Sequence, residues 1–322
     1  GKGRRREWRS PWGGPAAIAG NSTKHRAECA ATVADPATAI RVDPVMGGLL
    51  DPAVALPAAA ALGLFVGSFL NVVIHRLPKM MERGWNEQCA ELAGRAPDAA
   101  PRYNLAVPRS ACPSCGHAIT AIENVPVLSW LALRGRCSAC KARISPRYPV
   151  VVLYDRDPGT GDALALAAVW RFGPTWQGIA ACLFLWTLLA LAFIDADTQL
   201  LPDDLTLPLL WGGLFANLFG LFVPLSSAVI GAIAGYLSLW TVYWLFKLVR
   251  GKEGMGYGDF KLLAAIGAWL GWPMLPQVVL VSSVLGAVGG IAMIVARGRD
   301  RASPLPFRPW LAGAGVVSLF FG

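Results

Sequence analysis

Apolar runs recur along this chain at a length that soluble cores do not need. Residues 53–74, 178–194, 205–223, 225–249 and 276–296 are almost without charge, and shorter runs cover 260–272 and 306–321. About 20 such residues cross the hydrocarbon core of a bilayer as one helix. Backbone in lipid must satisfy its own N–H and C=O groups, so only helices or closed barrels span it. Runs this long and this uniform predict helices. Composition agrees: 55% of residues are hydrophobic and 15% charged, against about 25% charged in an average soluble domain. That excludes a disordered chain and a nucleic-acid module built on charge.

The net charge of +9 is unevenly placed. Residues 1–45 carry a net +4, residues 79–147 a net +5, and the rest balances. Lys and Arg mark cytoplasmic loops, which places 79–147, Arg250/Lys252 and the run Arg297 to Arg301 inside. Counting back from Arg250, the stretch Asp195 to Asp204 is also cytoplasmic. Parity then demands a crossing between Arg147 and Gly178, for about eight spans in all. The residues there resist one. Asp155, Arg156, Asp157 and Asp162 interrupt the apolar pieces, and a charge at mid-depth costs about 2.5–3.5 kcal/mol on insertion scales. A broken helix or a locally altered reading frame over this stretch accounts for the conflict.

The expected organisation has four parts. Residues 1–45 are Arg- and Ala/Pro-rich and aperiodic, read as disordered or as an extension upstream of an initiator at Met46. Residues 46–78 hold the first transmembrane helix, 79–149 a cytoplasmic Cys-bearing domain, and 150–322 a helical membrane domain. The fold class is an all-α polytopic membrane protein with a small zinc-binding cytoplasmic domain.

Four of the seven cysteines form Cys112-Pro-Ser-Cys115 and Cys137-Ser-Ala-Cys140, with 21 residues between the pairs. Two C-x-x-C knuckles at this spacing present four thiolates to one tetrahedral zinc. Four protein ligands close the site, so the metal is structural and folds a segment that has little core of its own. Arg136, Lys141 and Arg143 favour the thiolate form. His117 reads as a neighbour of the site and not a ligand.

Two acids stand out. Asp195 follows 17 mostly apolar residues directly and has no capping role. Asp259 closes Gly256-Tyr-Gly-Asp259 at the start of another apolar run, where it is either a functional acid or a helix N-cap. Asp203 or Asp204, beside Pro202, reads as an N-cap. The topology puts Asp195 and Asp259 at one depth. Two carboxylates at one site hold a proton between them, so one can act as base on water while the other polarises a carbonyl.

In chain order the sequence also carries Gly67-Ser-Phe-Leu-Asn-Val-Val-Ile-His-Arg-Leu-Pro78, Pro108-Arg-Ser-Ala-Cys-Pro-Ser-Cys115, Glu123-Asn-Val-Pro-Val-Leu-Ser-Trp130, Leu133-Arg-Gly-Arg-Cys137, Ile144-Ser-Pro-Arg-Tyr-Pro149, Ile194-Asp-Ala-Asp-Thr-Gln-Leu-Leu-Pro-Asp203, Gly254-Met-Gly-Tyr-Gly-Asp-Phe-Lys261 and Pro304-Leu-Pro-Phe307. This ordered set, over about 62–149 and 176–320, resembles the type IV prepilin peptidases. They are bifunctional leader peptidase/N-methyltransferases of bacterial pilus and type II secretion systems, within the GxGD membrane aspartyl proteases. The resemblance implies that Asp195 and Asp259 are the catalytic pair. It implies cleavage of a basic leader from prepilins and pseudopilins at the cytoplasmic side of the inner membrane. Methylation of the new N-terminus with S-adenosylmethionine would follow. It links the Gly67 region and the cysteine domain to methyl transfer, although close helix packing also accounts for Gly67. The chain departs from the family's pattern over 150–170, and at Arg308, where the family tends to have Gly. A proton-coupled transporter with a metal-binding regulatory domain is the rival class; it predicts inverted repeats, and the sequence shows no internal repeat.

Overall fold

The first apolar run becomes a helix that does not stop where the apolar character does. The computed structural model describes residues 52–95, 102–112, 114–120, 123, 128–143, 160–251, 255–297 and 307–322. The expected tail at 1–45 and the charged part of the divergent stretch up to residue 159 lie outside the described residues. α1 runs unbroken over Pro52–Leu92, 41 residues with Pro57 and Pro78 inside it, or about 62 Å at 1.5 Å per residue. The helix therefore carries straight through Pro78 into the polar segment. Its extension is the strut for the cysteine-bearing part. Buried Arg76 donates to the carbonyls of Asn104 (3.0 Å) and Leu105 (3.2 Å), and the Arg83 guanidinium lies 4.3 Å from the centre of the Tyr103 ring.

After a one-turn helix α2 (Leu128–Ala132) come α3 (Thr160–Phe172), α4 (Trp176–Thr198), α5 (Asp203–Leu218), α6 (Leu225–Arg250), α7 (Tyr257–Leu270), α8 (Leu275–Arg297) and α9 (Arg308–Phe321). Among the described residues there is no strand, only two isolated β-bridges. Local chemistry sets the ends. Thr175 caps α4 by accepting from the Gly178 N–H, which satisfies one of the helix's orphan donors. Gln199 closes it in the left-handed conformation. Lys247 and Arg250 sit in the last turn of α6, where cations meet the negative end of the helix dipole.

α7 is the centre. Eleven of its fourteen residues are buried, and it packs on α5, α6 and α9. Its contact with α6 is backbone on backbone: a methyl at Gly231 would run into the Gly267 carbonyl oxygen, and one at Gly235 would lie 2.7 Å from that of Leu263. Small residues permit such an approach in lipid. Polar bonds fix the far end. The amide of buried Asn217 donates to the Ala268 and Trp269 carbonyls and accepts from the Phe222 and Val223 N–H groups. The indole of Trp269 donates to the Leu209 carbonyl (2.7 Å).

The outside of the bundle is apolar. Trp211, Phe215, Ile230, Ile233, Leu245, Leu280, Val288 and Ile291 are all exposed, an arrangement for lipid and not for water. Four described helical segments are long and apolar enough to cross a bilayer: those within α1, α4 and α6, and residues 272–292. α3, α5, α7 and α9 have 13, 16, 14 and 14 residues, about 20–24 Å, short of a 30 Å core. The expectation of eight spans thus meets four of full length and four shorter apolar helices.

Candidate active site and cysteine centre

One helix end and two helix starts converge on one face of the bundle. Asp195 lies in the last turn of α4, Asp259 in the first turn of α7, and Arg308 opens α9. Both aspartates are buried, at 2% and 4% exposure. Both accept from one guanidinium: Arg308 Nη1 is 2.6 Å from Asp195 Oδ1, and Nε is 2.8 Å from Asp259 Oδ1. Nη1 also donates to the Gln199 carbonyl at 2.8 Å. Asp195 Oδ2 is buried without a hydrogen-bond partner among the described residues. The carboxylates, 64 positions apart in sequence, are therefore at one site.

The capping roles weighed for these acids are not what the structure shows. Gly256 is the N-cap of α7, and Asp259 stands inside the first turn facing Arg308. Pro202 is the N-cap of α5, with no side-chain cap bond. Asp203 instead pairs with Lys261 on the surface, at 2.7 Å. Asp197, Asp203 and Asp204 are exposed, so burial separates the two candidate acids from their neighbours.

The cysteine segment repeats one backbone motif. The Cys112 N–H donates to the His117 carbonyl and the Cys112 carbonyl accepts from Gly116; Cys137 does the same with Ala142 and Lys141. Each knuckle is closed by a bridge, Ala111 to Ala118 and Arg136 to Arg143. The turn needs a positive φ, supplied by Gly116 at 71° and by Lys141 at 58°, the latter at a steric cost that Gly avoids. The four Sγ atoms lie within 4.8 Å of one another, with 3.8 Å between Cys112 and Cys140 and 4.0 Å between Cys115 and Cys137. Tetrahedral zinc–sulfur bonds of about 2.3 Å require sulfurs about 3.8 Å apart, so the donor set fits a metal of this kind.

Backbone donors prepare the thiols unequally. N–H groups of Ser114 and Cys115 draw Cys112 down to about 6, and those of Cys140 and Ala139 lower Cys137. At Cys115 the His117 N–H also pulls downward, but the Cys140 thiol, burial and the other two thiols outweigh it and hold the group up at about 11. Glu123 ties the knuckles together. Bonds from Ser138 and from the Thr120 N–H and hydroxyl lower its carboxyl to about 2, and His117 lies 3.5 Å away. His117 thus neighbours the centre and is not one of the four donors. Only the quoted Glu123-to-Trp130 motif marked Glu123 in the sequence.

Gly67 is buried within α1, and its carbonyl accepts from Asn71 Nδ2 at 3.3 Å.

Comparison with known proteins is decisive at this point. Residues 182–291 match the model of the Type IV leader peptidase family, and residues 61–156 match the Bacterial Peptidase A24 N-terminal domain. The chain is 56% identical over 265 residues to a Pseudomonas aeruginosa protein named prepilin leader peptidase/N-methyltransferase, covering 81% of this chain and 88% of that one. The chain belongs to the type IV leader peptidase family. Like-named relatives include one from Stutzerimonas stutzeri, 57% identical over 82% of this chain and 90% of its own length. Another, from Burkholderia pseudomallei, is 58% identical over 83% and 85%. No solved structure matches the chain. Within this leader peptidase the first family match ends and the second begins on either side of α3, and the second contains both Asp195 and Asp259. With its apolar helices and lipid-facing surface, it is a multi-pass membrane protein.

Proposed function

We propose that the protein cleaves the leader peptide of type IV prepilins and type II secretion pseudopilins and then N-methylates the new N-terminus. The like-named relatives support both activities. The observation that carries the aspartyl assignment is the convergence of Asp195 and Asp259, both buried, on one guanidinium. In this reading one carboxylate takes a proton from water as the water adds to the peptide carbonyl. The other, protonated, donates to the carbonyl oxygen. No covalent intermediate forms. Collapse of the tetrahedral adduct passes a proton to the leaving amine.

The site lies at helix ends and not at bundle mid-height, which suits a substrate with a polar leader outside the lipid and an apolar helix within it. The basic loops after α6 and α8 support a cytoplasmic face of the inner membrane. The shorter helices α3, α5, α7 and α9 complete about eight crossings in this reading, with residues 79–149 as the cytoplasmic insert. Cys112, Cys115, Cys137 and Cys140 would hold a structural zinc, whose role there is to fix the two knuckles. S-adenosylmethionine would supply the methyl group; the family resemblance links the Gly67 region and the cysteine domain to that transfer, and no step is assigned to Gly67. A transporter is not favoured by the family match.

The test uses the full chain in detergent with a prepilin, following mobility and N-terminal mass. Asp195→Asn and Asp259→Asn should each abolish cleavage while the melting transition persists. Cleavage retained in either variant rejects the pair. A mass gain of one methyl, dependent on S-adenosylmethionine, reports the second activity.

A further inference from the structure

The turn before α7 and the start of α9 are shaped around a guanidinium. Arg308 is mostly covered, at 16% side-chain exposure. A methyl group at Gly256 would lie 2.6 Å from its Nη2, and one at Gly258 would lie 3.3 Å from its Nε and 3.1 Å from Leu201 Cβ. Both glycines of Gly256-Tyr-Gly-Asp259 thus make room for this side chain. The guanidinium bonds one oxygen of each aspartate and the Gln199 carbonyl together.

Arginine carries donors only and stays protonated. Between two carboxyl groups it donates to both, which favours their charged forms, and it occupies the position where water and a peptide carbonyl must meet them. Hydrolysis by the pair needs that space, and it needs a proton on one of the two acids. The arrangement is therefore closed to the reaction that the pair would perform.

We infer that Arg308 is a positioning residue that holds the Asp195–Asp259 pair in a latent, water-excluding state and withdraws from between the carboxylates at each turnover. The inference rests on the aspartyl reading above. The Gln199 carbonyl offers a route of withdrawal. Arg308 sits in the first turn of α9, where the helix dipole disfavours a cation, and Gln199 ends α4, where the dipole favours one. The bond to the Gln199 carbonyl lies on the exposed side, so the guanidinium keeps that partner as it leaves the aspartates. One water and one proton from solvent then take its place, the proton going to a carboxylate oxygen.

The experiment compares full-length wild type, Arg308→Gly and Arg308→Lys in detergent with one prepilin, alongside a matched control of each that also carries Asp195→Asn. Removing two charge-assisted bonds should raise kcat in Arg308→Gly by about tenfold or more, with KM changed by less than about twofold. Arg308→Lys, which cannot fork between both acids, should fall between the two. Millimolar methylguanidinium should slow Arg308→Gly, because it refills the space, and leave wild type unchanged. A purely structural Arg308 would not produce that pattern. A folded Arg308→Gly with unchanged or lower kcat overturns the inference and leaves the aspartyl reading standing. Cleavage that survives Asp195→Asn overturns both. If Arg308→Gly does not fold, Arg308→Lys decides: a kcat at or below wild type overturns the inference.

Discussion

Around Asp259, eleven of fourteen helix residues are buried; across the described residues of 102–143, only Gly135 and Cys137 are. The first region is held by packing so close that backbones touch, and its charges are set into a frame that exists without them. The second has no such frame. Its two knuckles are short turns joined by a few backbone bonds, and what could draw them together is the four thiols. The same protein thus positions one set of acidic groups by burial, and in the proposed reading the other would be positioned by shared ligation. The two regions should fail in different ways.

The largest expected effect is on the cysteine region. Chelation, or Cys112→Ser together with Cys140→Ser, should remove the order of residues 102–143. Limited proteolysis should then cut within this segment, and one bound zinc per chain should be lost, while the main melting transition of the helices holds. Protected knuckles in the metal-free protein would mean that the turns suffice alone. In the helical region the corresponding lesion is Gly231→Leu. A side chain there meets the Gly267 backbone, and overpacking of this kind costs about 1–3 kcal/mol. Forcing α6 from α7 also displaces Asp259 from Asp195, so cleavage should fall further than stability does. Gly212→Ala is the control, because a methyl there makes an ordinary 3.5 Å contact with Trp269. Equal losses from both substitutions would refute the backbone-contact account.

The sequence made the four full-length crossing helices legible, because apolar length is a property of single segments. It also made the two knuckles legible, because ligand spacing is local. Asp195 was legible because an acid at the end of 17 mostly apolar residues has few other uses. The rest depends on which segments meet. The continuation of α1 past Pro78 was hidden by the change to polar residues, which ends an apolar run but not a helix. Asp203 looked like a cap beside Pro202; its carboxylate turns to Lys261, 58 positions away. Lys141 takes a left-handed turn that only comparison with Gly116 would have suggested. Asn217 was a lone polar residue in an apolar run, with nothing nearby to name its four partners. Arg308 was visible as a departure from the family's pattern, but no spacing rule joins it to acids 113 and 49 positions away.

The smallest expected effect sharpens what burial contributes. Lys261 and Arg308 both bond carboxylates at 2.6–2.8 Å, so distance alone would rank the two ion pairs together. Exposure separates them. The Lys261–Asp203 pair leaves 34% and 52% of its side chains open to solvent, whereas Arg308 and its acids are at 16% or less. Water and salt already satisfy and screen the exposed pair, and such pairs contribute about 0–1 kcal/mol. Lys261→Ala should therefore lower the melting temperature by no more than a degree or two at moderate salt, and less at high salt, because screening leaves little to lose. Cleavage should stay within about twofold of wild type, although Lys261 is only two residues from Asp259. A large loss of activity in this variant would mean that the acid's position depends on the surface pair as well as on the packing of α7, and the contrast between the regions would then be one of degree.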